Sequence, residues 1–173
     1  RHFFHWELEF PEVFYDRNGN RLTDGGFAAV VCNPPYISYY SRESKKSEHD
    51  LSLLHYIHQT YEFIRDVNQT ARLNSGMFFI ELGIRHQREQ GGLGYIVDVG
   101  FTLDAYRHIR KYILHQAAVR NFVANLSAFG EVISGQVVLI SERTRSATMR
   151  NDNVIGYVPD LGIPNSIVRI KQK

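Results

Sequence analysis

FAAVVCNPPY, residues 27–36, is the stretch from which the fold can be predicted. Its first six residues are an uninterrupted small and apolar run, which is typical of a strand buried on both faces of a sheet. Proline cannot donate to a sheet ladder, so Pro34 and Pro35 end this strand. Open α/β sheets bind ligands at the carboxyl ends of their strands. We therefore expect Asn33 to lie in a binding cleft.

The turn offers two hydrogen-bond acceptors that a rigid backbone can aim at one point. They are the side-chain carbonyl of Asn33 and the backbone carbonyl of Pro34. An amino group on an aromatic ring is a poor nucleophile, and acceptors on both of its N–H bonds favour the pyramidal nitrogen that attacks. Tyr36 would supply a stacking face for the ring. The alternative for such a tetrapeptide is a plain extended connector after a strand.

The tetrapeptide resembles motif IV of the amino-group methyltransferases that use S-adenosylmethionine. That group includes adenine-N6 DNA methyltransferases, some guanine-N2 RNA methyltransferases and the glutamine methyltransferases of release factors. The motif alone therefore implies a planar amine as the substrate, without specifying adenine.

The preceding segment, FHWELEFPEVF at residues 4–14, is similar to the lead-in of large bacterial adenine methyltransferases of the fused restriction-modification and phage-defence type. In that family a polar turn and a G-G-F-D-x-V-x-x-N-P-P-Y run follow in the same order. Here Ala28 stands where the family usually has Asp. The resemblance implies a site-specific DNA methyltransferase that transfers methyl from S-adenosylmethionine to the N6 amine of an adenine flipped out of the duplex.

The resemblance also assigns roles to individual residues. Asn33, Pro34, Pro35 and Tyr36 would be the catalytic residues, with Tyr36 stacking on the base. Phe129, in Ala-Phe-Gly-Glu-Val, resembles the family's motif VIII aromatic that stacks on the extruded base; the alternative is an anchor in the core. Arg110 lies in an Ile-Arg-x-x-Ile-Leu pattern similar to a helix of the family, and the alternative is an outward charge.

Composition sets broad limits on the class of protein. The chain has 173 residues, 43% of them hydrophobic and 13% aromatic, which is ample for one packed core. It contains no apolar stretch long enough to cross a membrane and no signal-peptide pattern, so a cytoplasmic protein is predicted. The net charge of +2 is small for a nucleic-acid-binding protein. Cys32 is the only cysteine, so no disulfide framework or thiolate metal site is expected.

The order of predicted elements is typical of an α/β protein. A hairpin over residues 9–20 leads into the strand at 27–32, and a helix over 48–70 begins at a capping-box pattern, Ser47-x-x-Asp50. A second helical stretch runs from 77 to a stop at Gly91 and Gly92, and the next strand covers 93–99. Thr102 would cap a helix over 103–115. Strands at 119–126 and 136–141 would form an antiparallel pair at the sheet's edge.

This order matches the second half of a Rossmann-like S-adenosylmethionine-dependent methyltransferase fold, which ends in such a pair. Residues 1–142 are predicted to be the C-terminal half of the catalytic domain, and residues 143–173 a linker and the possible start of a target-recognition region. The glycine-rich turn that would hold the cofactor is not found in the chain. The expected partners are DNA, the N-terminal half of the catalytic domain and a target-recognition domain.

Other functions remain open at this point. The chain could act on another planar amine, such as guanine N2 of RNA or a protein glutamine, or it could be a catalytically incomplete remnant that serves as a binding module. His55 and His58 have a spacing that a metal could use, but no third ligand clusters with them, so a packed or solvated pair is expected.

Overall fold

The computed structural model describes residues 4–38, 48–65, 73–126, 135–159 and 167–172. Within these ranges the strands are β1 Phe27–Cys32, β2 Gln87–Asp98, β3 Ala117–Leu126, β4 Gln136–Arg143, β5 Val154–Val158 and β6 Val168–Lys171. The α-helices are α1 Trp6–Glu9, α2 Pro11–Phe14, α3 Glu48–Thr60, α4 Ser75–Arg85, α5 Arg107–Gln116 and α6 Ala147–Asn151. Short 3₁₀ helices cover Glu62–Ile64, Val99–Thr102 and Asp104–Tyr106.

The strands form one mixed sheet in the order β1-β2-β4-β3-β5-β6. β1 pairs with β2 in parallel, and β3 pairs with β5 in parallel. β4 lies between β2 and β3 and is antiparallel to both. The α/β fold and the antiparallel pair formed by β3 and β4 confirm the sequence prediction.

Two details of that prediction are wrong. The antiparallel pair is not at the edge of the sheet, because β5 and β6 extend the sheet beyond β3. β1 is not buried on both faces, since the side chain of Val31 is 84% exposed, and among the described strands β1 has only β2 beside it. The division of the chain at residue 142 stays a prediction, to which the structure adds that β5 and β6 belong to the same sheet.

The core lies between one face of the sheet and helices α4 and α5. Apolar residues at helical spacing place Ile80 and Ile84 of α4 and Ile109 and Ile113 of α5 in this layer, all at most 2% exposed. Leu93, Val97 and Leu139 face them from the strands. The layer fixes how the loop after β1 and the loop after β2 lie side by side at the carboxyl edge of the two strands.

The predicted hairpin before β1 is replaced by two short helices. Pro11 occupies the first turn of α2, where its missing N–H costs no hydrogen bond. The turn at Asp16 does form, because its Oδ1 accepts from the backbone N–H groups of Asn18 and Asn20 at 2.8 and 2.9 Å. Only the single antiparallel bridge between Tyr15 and Arg21 remains of the hairpin in this described segment.

The helix predicted over 48–70 ends at Thr60. A 3₁₀ helix follows because the buried carboxylate of Glu81 accepts from the N–H groups of Glu62 at 2.9 Å and Phe63 at 3.0 Å. Ser47 of the predicted capping box and residues 66–70 lie outside the described residues.

The boundaries around β2 also differ from the prediction. α4 ends at Arg85, before Gly91 and Gly92, and the strand begins at Gln87. The ladder is irregular where Phe27 pairs with Gln87 but Ala29 pairs with Gly92, and a Cβ on Gly91 would lie 2.8 Å from the carbonyl oxygen of Phe27. Gly91 thus permits close backbone approach in a bulge and does not stop a helix.

Thr102 does not cap the helix after β2. Its hydroxyl donates to the carbonyl of Val99 at 2.9 Å, inside a 3₁₀ turn. The α-helix begins five residues later, at Arg107.

Candidate active site at the carboxyl end of β1

The tetrapeptide after β1 lies beside the carboxyl end of β2. Cys32 is in register with Tyr95, so Asn33 leaves the ladder level with Ile96. The side chain of Asn33 is exposed, Pro34 is buried, and Tyr36 is 39% exposed. An exposed amide side chain therefore stands beside a partly exposed aromatic ring at the end of the strand.

The hydroxyl of Tyr36 links the two strands at this point. It lies 2.9 Å from Oδ1 of Asn33 and 3.0 Å from the carbonyl oxygen of Ile96. Both neighbours are acceptors, so the single phenolic proton is shared between them or donated to one at a time. The contact fixes where the Asn33 side-chain oxygen points, and a carbonyl oxygen retains a second lone pair for another donor.

The N-terminus of α4 holds the loop from behind. Oγ of Ser75 accepts from the N–H of Ile37 at 2.9 Å and donates to the carbonyl of Pro35, while the N–H of Ser75 donates to the carbonyl of Ile37 at 2.9 Å. Asn74 caps the helix by accepting from the N–H of Gly76 at 2.8 Å. Three hydrogen bonds to Ser75 thus anchor the two residues that flank Tyr36.

Asp98, at the end of β2, supplies the negative charge of the site. Its Oδ1 accepts from the N–H of Gly100 at 2.6 Å, and its Oδ2 accepts from the hydroxyl of Tyr106. Burial and this hydrogen bond raise the pKa of Tyr106 well above its usual range. Burial and then the charge of Asp98 also raise the pKa of Tyr36 above 10. Both phenols therefore stay protonated and able to donate at neutral pH.

Arg110 of α5 fixes the loop that follows Asp98. Its Nη1 donates to the carbonyls of Phe101 and Leu103, the latter at 2.6 Å. The guanidinium is therefore more than an outward charge, because it holds the carbonyls of Phe101 and Leu103. The carbonyl of Leu103 also accepts from the N–H of Tyr106 at 3.1 Å.

The structure brings Asn33, Pro34, Pro35 and Tyr36 together in one loop, whereas Phe129 lies outside the described residues. Sequence reasoning did not identify Ser75 or Asp98 as part of this site. Asp98 is the last residue of a strand parallel to β1, and a position at a strand's carboxyl end is also what singled out Asn33. No comparable sequence pattern pointed to Ser75, because its hydrogen-bond partners are 38 and 40 residues away along the chain.

The two histidines are occupied by neighbouring groups. Nε2 of His55 lies 2.9 Å from Nε2 of Gln59, and Nδ1 of His58 lies 3.2 Å from the carbonyl of Ile64. Within the described ranges, no three His, Cys, Asp or Glu side chains cluster as a metal ion would need. None of the helices described is long and apolar enough to cross a membrane.

A family model described as Eco57I restriction-modification methylase matches residues 1–129. Among solved structures, a protein from Listeria monocytogenes described as a class I S-adenosylmethionine-dependent methyltransferase has a TM-score of 0.55 at 16% identity, covering 87% of this chain and 42% of its own. DrdV in complex with DNA has a TM-score of 0.54 at 14% identity, covering 95% of this chain and 18% of its own. The type IIG restriction endonuclease BpuSI has a TM-score of 0.51 at 13% identity, covering 84% of this chain and 19% of its own. Comparison with curated proteins finds no match.

At these identities the likeness to solved structures shows the fold. The chain spans between 18% and 42% of the length of these three proteins.

Proposed function

Because the chain belongs to the Eco57I restriction-modification methylase family, we propose that it forms the target-amine half of an adenine-N6 DNA methyltransferase. The observation that carries the proposal is the exposed residue Asn33, whose Oδ1 is oriented by Tyr36 at the carboxyl end of β1. The enzyme would act in the cytoplasm on DNA, within a restriction-modification or phage-defence system.

The acceptor set suits an aromatic amine. Oδ1 of Asn33 and the carbonyl of Pro34 would each accept one N–H of the adenine N6 group. As the nitrogen attacks, its lone pair leaves conjugation with the ring and its N–H groups become stronger donors, so both hydrogen bonds strengthen towards the transition state. The carboxylate of Asp98 provides a negative charge near Tyr36 that favours the amine while it is positive.

S-adenosylmethionine would supply the electrophilic methyl group of its sulfonium. The residues of this chain fit one side of that reaction: the open edge of β1 leaves the exposed Asn33 accessible to a donor bound alongside the strand. The residues that hold the cofactor remain unassigned, and the N-terminal half of the catalytic domain is the proposed partner that would contribute them.

Two aromatic side chains are proposed to hold the flipped base, Tyr36 and Phe129. Stacking of a base on an aromatic ring is worth about 1–3 kcal/mol per base. Phe129→Ala should therefore weaken base extrusion by roughly ten- to a hundredfold, as followed with a fluorescent adenine analogue, and Phe129→Trp should be tolerated better. If Phe129 is a core anchor, the alanine variant should instead lose thermal stability and extrude the base normally while folded.

The proposed function is tested with Asn33→Ala in a protein that contains this chain together with a cofactor-binding segment. Removing one such electrostatic contact should lower turnover by about a hundredfold or more. DNA affinity should be unchanged, because the contact matters most as the amine changes geometry. Asn18→Ala, an exposed asparagine in the turn before β1, is the matched control. Near-normal turnover of Asn33→Ala would refute the assignment.

The substrate class is tested separately. Labelled methyl should be incorporated into adenine of duplex DNA. Incorporation into guanine of RNA or into a protein glutamine would assign the same loop to another planar amine.

A further inference from the structure

A basic groove lies between α5 and α6, away from the loop after β1. It has a volume of about 510 Å³, and it is lined by the cations Arg107, Arg110, Lys111 and Arg150 together with His115. Among the described residues, no carboxylate lines it. Beside the groove, Asp104 pairs loosely with Arg107 at 3.9 Å and is itself 86% exposed.

The spacing of the cations along α5 places them on one face. Arg107, Arg110 and Lys111 follow the three- and four-residue steps that align side chains on a helix, and the imidazole of His115 continues the row. Eight residues of helix span about 12 Å. Each strand of duplex DNA carries one phosphate per about 3.4 Å of duplex axis, so the row from Arg107 to His115 is long enough to contact several phosphates of one strand.

Two of the guanidinium groups are held in place by carbonyl oxygens and not by carboxylates. Arg110 donates to the carbonyl of Leu103 at 2.6 Å, and Nη1 of Arg150 donates to the carbonyl of Thr144 at 2.7 Å. A carbonyl positions the group without neutralising its charge, and each guanidinium has five N–H donors, so several remain for an anion. Less side-chain entropy is lost when an anion binds to such preplaced cations.

The positive charges of this surface also act on a neighbouring histidine, His108. Burial, followed by the charges of Arg107 and Lys111, lowers the pKa of His108 below 6.5, with Asp104 opposing the change. Elsewhere in the described chain, cations such as Arg120 and Arg145 have carboxylate partners in Glu142 and Glu89. Lys111 and Arg150 have no such partner among the described residues.

We propose that this groove binds the phosphate backbone of duplex DNA. Contacts of this kind fix the position of a protein on DNA without reading its sequence. The choice of DNA as the polyanion rests on the proposed function, whereas the groove itself is independent of any methyl transfer.

The test is the salt dependence of DNA binding by the full chain, measured by fluorescence anisotropy with a labelled duplex of about 30 base pairs. Each phosphate contact contributes about 0.9 to the slope of log Kobs against log salt. Arg107→Gln combined with Lys111→Gln should therefore lower the slope by about 1.8. If the double variant and the wild type bind equally at 1 M salt, the variant should bind roughly 60-fold more weakly than the wild type at 0.1 M salt. Lys111→Arg alone, which keeps the charge, should leave the slope unchanged.

The matched control is Arg17→Gln combined with Arg169→Gln, two exposed arginines in the turn before β1 and on β6. It removes the same charge and should change the slope little. An equal loss of slope in both double variants, or no loss in either, would overturn the proposal. Displacement of DNA by polyglutamate at equal charge concentration would assign the groove to an acidic protein and would also overturn it. Because no methyl transfer is measured, failure of the proposed enzymatic function would leave these results unchanged.

Discussion

Tyr36 serves the loop after β1 in two separable ways, with its ring and with its hydroxyl. The ring is 39% exposed and open to a stacked base, while the hydroxyl lies 2.9 Å from Oδ1 of Asn33. Asn33 and Pro34 could be identified from the sequence because a strand end followed by prolines is a local pattern. The orienting role of the Tyr36 hydroxyl could not, because it depends on the distance to Asn33 and to the carbonyl of Ile96, 60 residues away.

Tyr36→Phe separates the two roles. The ring remains, so the KM for DNA should stay close to the wild-type value. The hydrogen bond that orients Asn33 is lost, and a net value of about 1 kcal/mol for such a bond predicts a fall in turnover of about fivefold. The measurement is steady-state methylation by a protein that contains this chain and binds the cofactor. Tyr56→Phe, at an exposed position on α3, is the control; equal turnover of Tyr36→Phe and wild type would show that the hydroxyl has no orienting role.

His108 provides a pH-dependent readout at the residue scale. Its Nε2 accepts a hydrogen bond from Nε of Arg107 at 3.2 Å, and burial and Arg107 lower its pKa below 6.5. The folded state therefore favours the neutral imidazole. As the pH falls through 6.5 towards the folded pKa, the unfolded chain binds the proton first, so this residue's contribution to stability is lost in that window.

Arg107→Gln should raise the pKa of His108 towards 6.5, because one of the nearby positive charges is removed. The titration is followed by NMR of the imidazole protons. Arg17→Gln should leave the His108 titration unchanged. A pKa that stays the same in Arg107→Gln would show that the charge of Arg107 does not contribute to the shift.

Gly83 determines how closely α4 approaches β2. A Cβ at this position would lie 2.4 Å from the hydroxyl of Tyr95 and 3.1 Å from Cδ1 of Leu93. Neither side chain can move freely, since Tyr95 is 3% exposed and donates to the carbonyl of Phe79 at 3.1 Å. Helix propensity favours Ala over Gly by about 1 kcal/mol, whereas overpacking a core costs about 1–3 kcal/mol. The steric cost should therefore exceed the gain in propensity.

Gly83→Ala should consequently lower the free energy of unfolding by up to about 2 kcal/mol, which corresponds to a fall in Tm of up to roughly 8 °C for a chain of this size. Gly94→Ala on β2 is the matched control, because its Cβ would meet only Cγ2 of Val31, at 3.9 Å. That variant should melt at or slightly above the wild-type temperature. A Gly83→Ala chain that is more stable than wild type would mean that Tyr95 repacks without losing its hydrogen bond.

At the level of elements, the sequence predicted what depends on periodicity and missed what depends on distant partners. The apolar faces of α4 and α5 and the β-rich runs of β3 and β4 could be recognised because their repeat is local. The end of α3 at Thr60 could not, since it depends on the carboxylate of Glu81, 19 residues from Glu62. β1 shows the same limit, because an apolar run predicts burial but does not reveal which neighbours are present to cover it.

At the scale of the whole molecule, the exposed sheet edge formed by β1 is the feature that should govern association between chains. Ladder groups on the free side of β1 have no strand beside them in the described chain, and Val31 is 84% exposed. An apolar groove of about 480 Å³ runs beside the strand, and its lining includes Trp6, Phe27 and Leu82. An exposed apolar edge of this kind pairs readily with another strand.

We therefore expect the chain on its own to self-associate through β1. Val31→Lys should shift the association to higher concentration by about tenfold or more, because a charged side chain on an edge strand disfavours pairing with a second edge. Leu8→Lys, which introduces the same charge at a position 76% exposed on α1 and outside any strand, should leave the association unchanged. Sedimentation velocity across a range of concentrations distinguishes the variants. A wild-type chain that stays monomeric at high concentration would show that this edge is protected, and equal effects of the two substitutions would show that net charge governs association.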